Sequence, residues 1–415
     1  MSVWNPVWEI SINGVSYADS VLANLKITTG RTNIYEQAQA GYCNLQLLIF
    51  NQSAVAININ DSVTVSLQDS TAAFVPLFGG TVTDLGIAVS TAGEVGLVQT
   101  VNITALGALS RLPKALTNGV LTQDFDGDQI YEILKDLLLN NWSEVAAAYQ
   151  WNTYDPAITW ANAENVGLGE IDRPGNYELA ARTSDRTDIY SLVSALATSG
   201  LGYIYEAATG AISYADSTHR STYLAANGYV DLSANDALAS GIQIQARAGD
   251  VRNSITLKYG ANGSSEVSDE DAASISTFGR LSQIISTTVK HSADATDQAA
   301  FYLSLRAYPQ FMFNFITFEL TNPEIDDGDR DSLINTFMGQ PIALADLPLN
   351  MTSGNFLGFV EGWTVSAAYN QCSITPILSP LAYSLQAMRW ENVPITEQWN
   401  TISPTLDWEN ATLVA

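Results

Sequence analysis

Two histidines, His219 and His291, are the chain's whole supply of imidazole. Any Ser-His-Asp or Cys-His nucleophilic site would therefore have to use one of them as its base. His219 stands in the polar run Ser217-Thr218-His219-Arg220-Ser221-Thr222, and His291 in Val289-Lys290-His291-Ser292 just ahead of a helical pattern. Both are places where solvent-exposed histidines are commonly found, and neither is assigned a catalytic role. The sequence carries no phosphate-cradling glycine loop, no HExxH helix and no nucleophile elbow.

Carboxylates offer more material. Asp124, Asp126 and Asp128 have the alternate spacing of a calcium loop, but Gly127 falls between the second and third of them. Lys135 also occupies the position where the bidentate glutamate should stand. Capping and dipole stabilisation of the helix that follows explains the same acids. A second acidic run, Asp326 to Ser332, is expected to be a solvated strand connection. With 43 Asp and Glu in the chain, a pair able to hydrolyse glycosides is not defined by spacing. Residues 142–184, the longest stretch without a clear reading, are too few for an inserted hydrolase. Cys43 and Cys372 lie inside predicted strands rather than in CxxC spacing, so they read as buried thiols. The expectation is a protein that is not an enzyme, with no cofactor and no metal.

Composition points the same way. Seventeen Lys and Arg against 43 Asp and Glu give a formal charge of -26 over 415 residues, which leaves few groups to neutralise phosphates. Specific nucleic-acid binding is not expected. No run of eighteen apolar residues is present, and the N-terminus lacks a basic segment before an apolar one, so neither a membrane span nor a signal peptide is read.

The elements are mainly β. Trp8, Ile10 and Ile12 alternate with polar residues up to Asn13-Gly14, a strong hairpin signal. Ile27 to Asn51 reads as two strands around a polar connection, with Cys43, Leu45, Leu47 and Ile49 on one face. Val63, Val65 and Leu67 mark another strand, and 74–89 and 97–109 two more. Six or seven antiparallel strands over about a hundred residues suit a small barrel. Past Pro113 the period turns helical: Ile130, Ile133, Leu134, Leu137 and Leu138 form one stripe. Residues 151–174 read as a loop-rich passage. A second helix follows Thr187 through Ile189, Leu192, Val193 and Leu196 and stops at Gly200. A hairpin at 203–206 and 212–215 completes an α/β unit. Strands return at Ile242, Ile244 and at Ile255, Leu257, Tyr259; 260–273 reads as a loop, 294–308 as a helix, and Met312 starts a strand.

These signals include Gly30-Arg31-Thr32, Gly41-Tyr42-Cys43-Asn44 and Val75-Pro76-Leu77-Phe78-Gly79-Gly80-Thr81-Val82, and their order resembles the N-terminal barrel of minor tail and baseplate (tail-tip) hub proteins of long-tailed bacteriophages. The later sequence repeats the opening in outline. FITFELTN matches LQLLIFN, Asp331-Ser332-Leu333 matches Asp61-Ser62-Val63, Gly362-Trp363-Thr364-Val365 matches Gly80-Thr81-Val82, and NQCSITPIL matches QTVNITAL. The fold class is mainly β with α/β insertions (α+β): two related small antiparallel β-barrels flanking an α/β domain. The limits are 1–113 for the first barrel and 114–240 for the α/β domain. Residues 241–385 make the second barrel, with a helical insertion near 294–308, and 386–415 an extended arm. In that arm Trp390, Trp399 and Trp408 recur every nine residues and are candidate interface anchors; folding back onto the second barrel is the other reading.

The resemblance implies a structural virion component assembled in the host cytoplasm. Its expected form is a homotrimer whose six barrels dock a three-fold tip onto the hexameric tail tube. The implied neighbours are a distal tail protein, the tape measure protein and tip-closing or fibre proteins, with DNA passing through without specific binding. Net charge suggests an acidic inner wall. The chain ends soon after the second barrel, so another protein would close the tip. Two alternatives stand beside this: a receptor- or glycan-binding tail protein using its Trp and Tyr, and a distal tail protein forming a hexameric ring.

Overall fold

The computed structural model describes residues 4–18, 20–50, 54–91, 96–139, 168–237, 241–310, 312–348, 355–369 and 371–380. Strand alternation decides the opening third. β1 (Trp8–Ile12) turns through Asn13 and Gly14, both at positive φ, into β2 (Val15–Ser16). β3 (Val21–Gly30), β4 (Gln39–Ile49), β5 (Ser62–Gln68), β6 (Phe74–Thr91) and β7 (Leu97–Leu106) follow. Cys43, Leu45, Leu47 and Ile49 of β4 and Val63, Val65 and Leu67 of β5 are buried, as a period of two requires.

The middle of the chain mixes short strands with helices. β8 (Leu116–Thr117) and β9 (Asp124–Phe125) precede α1 (Asp126–Leu139), and β10 (Leu168–Ile171), β11 (Glu178–Leu179) and β12 (Thr187–Asp188) precede α2 (Ile189–Ser199). The Asp188 carboxylate accepts from the Ser191 amide, and the chain leaves the helix at Gly200. The hairpin of β13 (Tyr203–Glu206) and β14 (Ile212–Ala215) lies where the sequence places it, and its third neighbour, β10 running parallel to β14, is a strand inside the passage whose sequence looks loop-rich. α3 (His219–Asn227) and β15 (Val230–Ser233) complete the region.

After β16 (Ile242–Gln245), β17 (Ser254–Tyr259) is flanked by β18 (Ser265–Glu270) and by β19 (Ser282–Ser286), with α4 (Ala272–Phe278) between the last two. The stretch read as a loop from 260 to 273 thus contains β18, an edge strand whose only apolar residue is Val267. α5 (Ser292–Arg306) packs Ala295, Ala299 and Leu303 against Ile255 and Leu257 of β17, forming a small second core. β20 (Met312–Ile316), β21 (Phe318–Glu319), α6 (Asp327–Ile334), β22 (Pro341–Ala345), β23 (Phe356–Ala368) and β24 (Gln371–Pro380) close the described chain. Asp326 to Ser332 is therefore the capped start of a helix rather than a solvated connection: the Asp326 carboxylate accepts from the Asp329 amide.

One sheet carries the architecture. Its strand order is β15-β22-β23-β3-β4-β7-β6-β5-β1-β2, with β24 on β23 and β21 on β24. Among the described residues no sheet closes on itself, so the two barrels expected from the sequence do not stand as separate closed units. The two strand sets instead share hydrogen bonds, β3 pairing antiparallel with β23 from Asn24↔Ala368 to Gly30↔Gly362. One hydrophobic core runs from Ile10 to Leu378 beneath them.

The internal repeat is present as strand order. β4-β7-β6-β5 in the first set has its counterpart in β21-β24-β23-β22. In each set a single extra residue interrupts the central pairing: Thr83 between Val82↔Ala105 and Asp84↔Thr104, and Glu361 between Val360↔Leu378 and Gly362↔Ile377. Aligning the two bulges matches Val82 with Val360, which corrects the sequence match of Gly362-Trp363 to Gly80-Thr81. The match of Asp331-Ser332-Leu333 to strand β5 also fails, because those residues are helical and β22 takes that place.

Candidate functional site

The join between the two strand sets is where the sequence motifs converge. Gly30 ends β3 at φ +92°, and a Cβ there would stand 2.4 Å from the Glu361 carbonyl oxygen and from the Gly362 Cα. Only glycine gives both the left-handed backbone and the close approach. The next residue, Arg31, turns inward. Its amide donates to the Glu361 carbonyl at 2.9 Å and its Nε to Glu361 Oε2 at 2.7 Å. Its Nη1 donates to the carbonyls of Ile34 and Glu36, fixing the polar connection to β4.

Glu361 is the extra residue of the β23 bulge, and bulges re-aim side chains in this way. From α3, Arg220 closes on the same carboxylate with two nitrogens, at 2.7 and 2.8 Å. Ser379 of β24 donates to Oε1 at 2.5 Å. Arg31, Arg220 and Glu361 are 7%, 4% and 1% exposed. Burial alone would raise the Glu361 carboxyl. Arg220 and then Arg31 outweigh that and hold it well below the usual carboxylate range. The Tyr203 ring of β13 takes both guanidinium groups against its face, at 5.0 Å for Arg31 and 4.6 Å for Arg220. The clamp therefore ties the first strand set, the second strand set and the α/β unit to one carboxylate. Beside it lies a polar cavity of about 60 Å³ between Arg31, Gln37, Tyr203, Asp216, Arg220 and Tyr302, with room for water.

A second buried carboxylate docks the α/β unit on β4. Glu206, at the end of β13, accepts from the Gly41 amide at 2.5 Å and from the Leu109 amide at 3.0 Å. A Cβ at Gly41 would lie 2.2 Å from Glu206 Oε1, which is why that strand needs glycine before Tyr42-Cys43-Asn44. Burial pushes the Glu206 carboxyl up to about 7, its two backbone donors notwithstanding.

The residues singled out for chemistry are distributed through the structure. His219 is not solvated as expected. It opens α3, is 8% exposed, and its Nδ1 lies 2.6 Å from Asp172. His291 sits at the start of α5 with Nε2 2.6 Å from Glu178, about half exposed. The three aspartates of the calcium-like run diverge. Asp126 is fully buried, accepts from the Tyr177 amide at 2.8 Å and from the Tyr214 hydroxyl at 2.5 Å, and is raised by burial to about 7. Asp128 pairs with Arg173 at 2.6 Å, and Asp124 accepts from the amide of Phe125. Among the described residues no group of three or more His, Cys, Asp or Glu converges to hold a metal ion. Cys43 and Cys372 are free, buried thiols whose pKa burial pushes up to about 12. Trp390, Trp399 and Trp408 lie outside the described residues.

The face of the joined sheet turned away from the core is polar. Thr28 and Thr364 meet across β3 and β23 at 3.4 Å, Gln46 bonds Asn102 at 2.8 Å, and Thr317 meets Thr375 at 2.8 Å. Ser366, Asn44, Thr104 and Ser373 share that face with charged side chains that include Lys26, Asp84, Glu319, Glu9 and Asp231. Among the described residues no helix is long and apolar enough to cross a membrane.

No family model and no curated protein matches the sequence. Solved structures do match. The tail protein from Neisseria meningitidis MC58 superposes with a TM-score of 0.60 at 9% identity, over 92% of this chain and 99% of that one. The 43 kDa tail protein of prophage MuSo2 from Shewanella oneidensis gives 0.52 at 11% identity, over 91% and 99%. At such identities the likeness is one of fold, and it extends over nearly the whole length of both proteins. This chain has the fold of phage tail proteins.

Proposed function

We propose that this chain is a structural component of a phage tail tip or baseplate hub, acting by assembly and not by catalysis. The observation that carries the reading is the repeated strand order joined edge to edge at β3 and β23. A chain with two equivalent strand sets side by side turns three copies into six equivalents, which is what a trimer needs to sit on a six-fold tube. The clamp at Glu361 suits this role, because it holds the two sets at a fixed angle to each other.

In this reading residues 1–113 and 241–385 are the two ring-forming β domains, 114–240 the α/β domain bracing them, and 386–415 an arm whose tryptophans reach a neighbouring subunit. The partners are a distal tail protein and the tape measure protein on one side and tip-closing or fibre proteins on the other, in the virion. The polar outward face of the sheet, its hydroxyls and amides set among Lys26 and the carboxylates of Glu9, Asp84, Asp231 and Glu319, lines the path of the DNA. A hydrated wall of hydroxyls, amides and carboxylates with few cations gives phosphates little to bind.

Light scattering of the purified protein over a range of concentrations tests the reading. A mass three times the 44.7 kDa of the chain is expected. A hexamer would favour a distal tail ring. A monomer that binds isolated cell-wall glycans would favour a receptor-binding protein.

A further inference from the structure

The bulge alignment assigns a role to a part of β6 that has no partner strand within the described chain. β5 pairs with β6 only as far as Thr81, while β7 pairs with it on to Thr91. Among the described residues no strand pairs with the outer edge from Asp84 to Thr91. In β23 the equivalent edge, Gly362 to Ala368, is the one that β3 occupies.

The side chains correspond as well as the backbone. Leu85, Ile87 and Val89 align with Trp363, Val365 and Ala367. In β23 these three face Thr29, Ile27 and Leu25 of β3, and all six are buried. In β6 the same face continues from buried Ile103 and Val101 on β7 outward to Leu85, Ile87 and Val89. Leu85 still touches the core, but Ile87 is 49% and Val89 60% exposed, and Leu97 beside them is 39% exposed. The residues between, Gly86, Ala88 and Ser90, are small, like Thr364, Ser366 and Ala368. An apolar strip and an open edge at the one position where the other strand set is covered by a strand is an unfilled half of a known junction.

We infer that the β6 edge from Asp84 to Thr91 is a docking edge for a second copy of this chain, which lays its second strand set against it as the first set lies against β23. The occupant is a copy of this chain because the order within one chain, second set then first set, continues without change only if the next element is another second set. The contact is head-to-tail, so it closes into a ring when the rotation per copy divides a full turn. This rests on the assembly reading above and specifies its contact.

The test replaces Ile87 and Val89 together by lysine, residues that blunt sheet edges and are tolerated at exposed positions. Association is followed by light scattering and sedimentation, and folding by circular dichroism and thermal unfolding at low concentration. Asn102→Lys, on the polar face of the neighbouring strand, is the control. The expected result is that I87K/V89K raises the dissociation constant of the assembly about 100-fold or more, as two buried charges in one interface require, while its spectrum is unchanged and the control assembles normally. If the wild type assembles and the double variant assembles equally well, the edge is not the contact, although the assembly reading stands. A wild type that stays monomeric at every concentration overturns both.

Discussion

Glu361→Gln is the sharpest perturbation the structure offers. The amide keeps the shape of the carboxylate but removes the negative charge that Arg31 and Arg220, 7% and 4% exposed, share. Three charge-assisted contacts of 2.7 to 2.8 Å lose their ionic partner at once. Removing one member of a buried ion cluster costs about 3–5 kcal/mol, a large share of the roughly 5–15 kcal/mol that holds a native protein together. With an unfolding entropy of about 2.1 cal/mol/K per residue, 415 residues unfolding as one unit would lose about 4–5 °C in Tm for ~4 kcal/mol. Calorimetry at pH 7 measures the shift, and urea unfolding gives the free energy. The triple replacement Arg31→Met, Arg220→Met and Glu361→Leu separates ion pairing from packing. It removes all three charges and should come within about 1–2 kcal/mol of the wild type or exceed it. Glu361→Gln within 1 °C of the wild type would refute the clamp as a structural joint.

Other consequences follow from the same geometry. The Glu361 carboxyl is depressed in the folded state, so its contribution is present above the ordinary glutamate range near pH 4 and is lost as pH falls towards the folded value. Glu206 and Asp126 act oppositely: raised to about 7, they contribute fully below about pH 4 and lose that contribution as pH climbs through 7. Urea midpoints should therefore peak near pH 5 and fall by pH 8.5, with a ceiling of roughly 3 kcal/mol for each of these two buried acids; a midpoint that rises from pH 5.5 to 8.5 would contradict it. Gly30→Ala must place a methyl against the Glu361 carbonyl at a positive φ, and a loss of about 3 kcal/mol or more is expected in urea unfolding, against under about 1 kcal/mol for the same change at Gly249, where φ is ordinary and a Cβ meets nothing within 4 Å.

What could be read from the sequence was whatever obeys a single period. β4 and β5 bury every second residue, α2 has its cap and its stop, and all three lie where alternation or helical spacing puts them. The errors fall on elements whose stability comes from elsewhere. Ser265–Glu270 has one apolar residue and becomes a strand because β17 supplies its hydrogen bonds. The helix from His219 has no apolar stripe and is fixed by Arg220 reaching Glu361. Asp326 to Ser332 looks like a solvated loop because its capping carboxylates are also loop residues. The clamp leaves only a faint signal in the sequence: a lone acid inside the apolar run Phe359-Val360-Glu361-Gly362-Trp363, and an arginine directly after the glycine that ends β3. A charge in a strand buried on both faces needs a partner, although nothing in the spacing says which of the chain's 17 basic residues provides it.

In the proposed assembly, the two bulges give the same edge different consequences in the two strand sets. At the inner junction the extra residue is Glu361, which is locked by two arginines, so β3 and β23 are bound together within the folded chain. At β6 the extra residue is Thr83, whose hydroxyl is satisfied locally by Asp84 and the Thr104 carbonyl. No charge there demands a partner before the chain can fold. In that proposal the subunit exists alone before it assembles, and this asymmetry suits it. An unfilled clamp at the outer edge would leave a buried charge exposed to mispairing, whereas a neutral apolar strip flanked by Asp84 can stay in water and be covered later. Thr83→Glu should therefore leave the isolated subunit folded and weaken assembly, because the incoming strand would have to desolvate a carboxylate with no arginine known to meet it. Assembly of that variant at wild-type concentrations would show that the outer junction carries a clamp of its own.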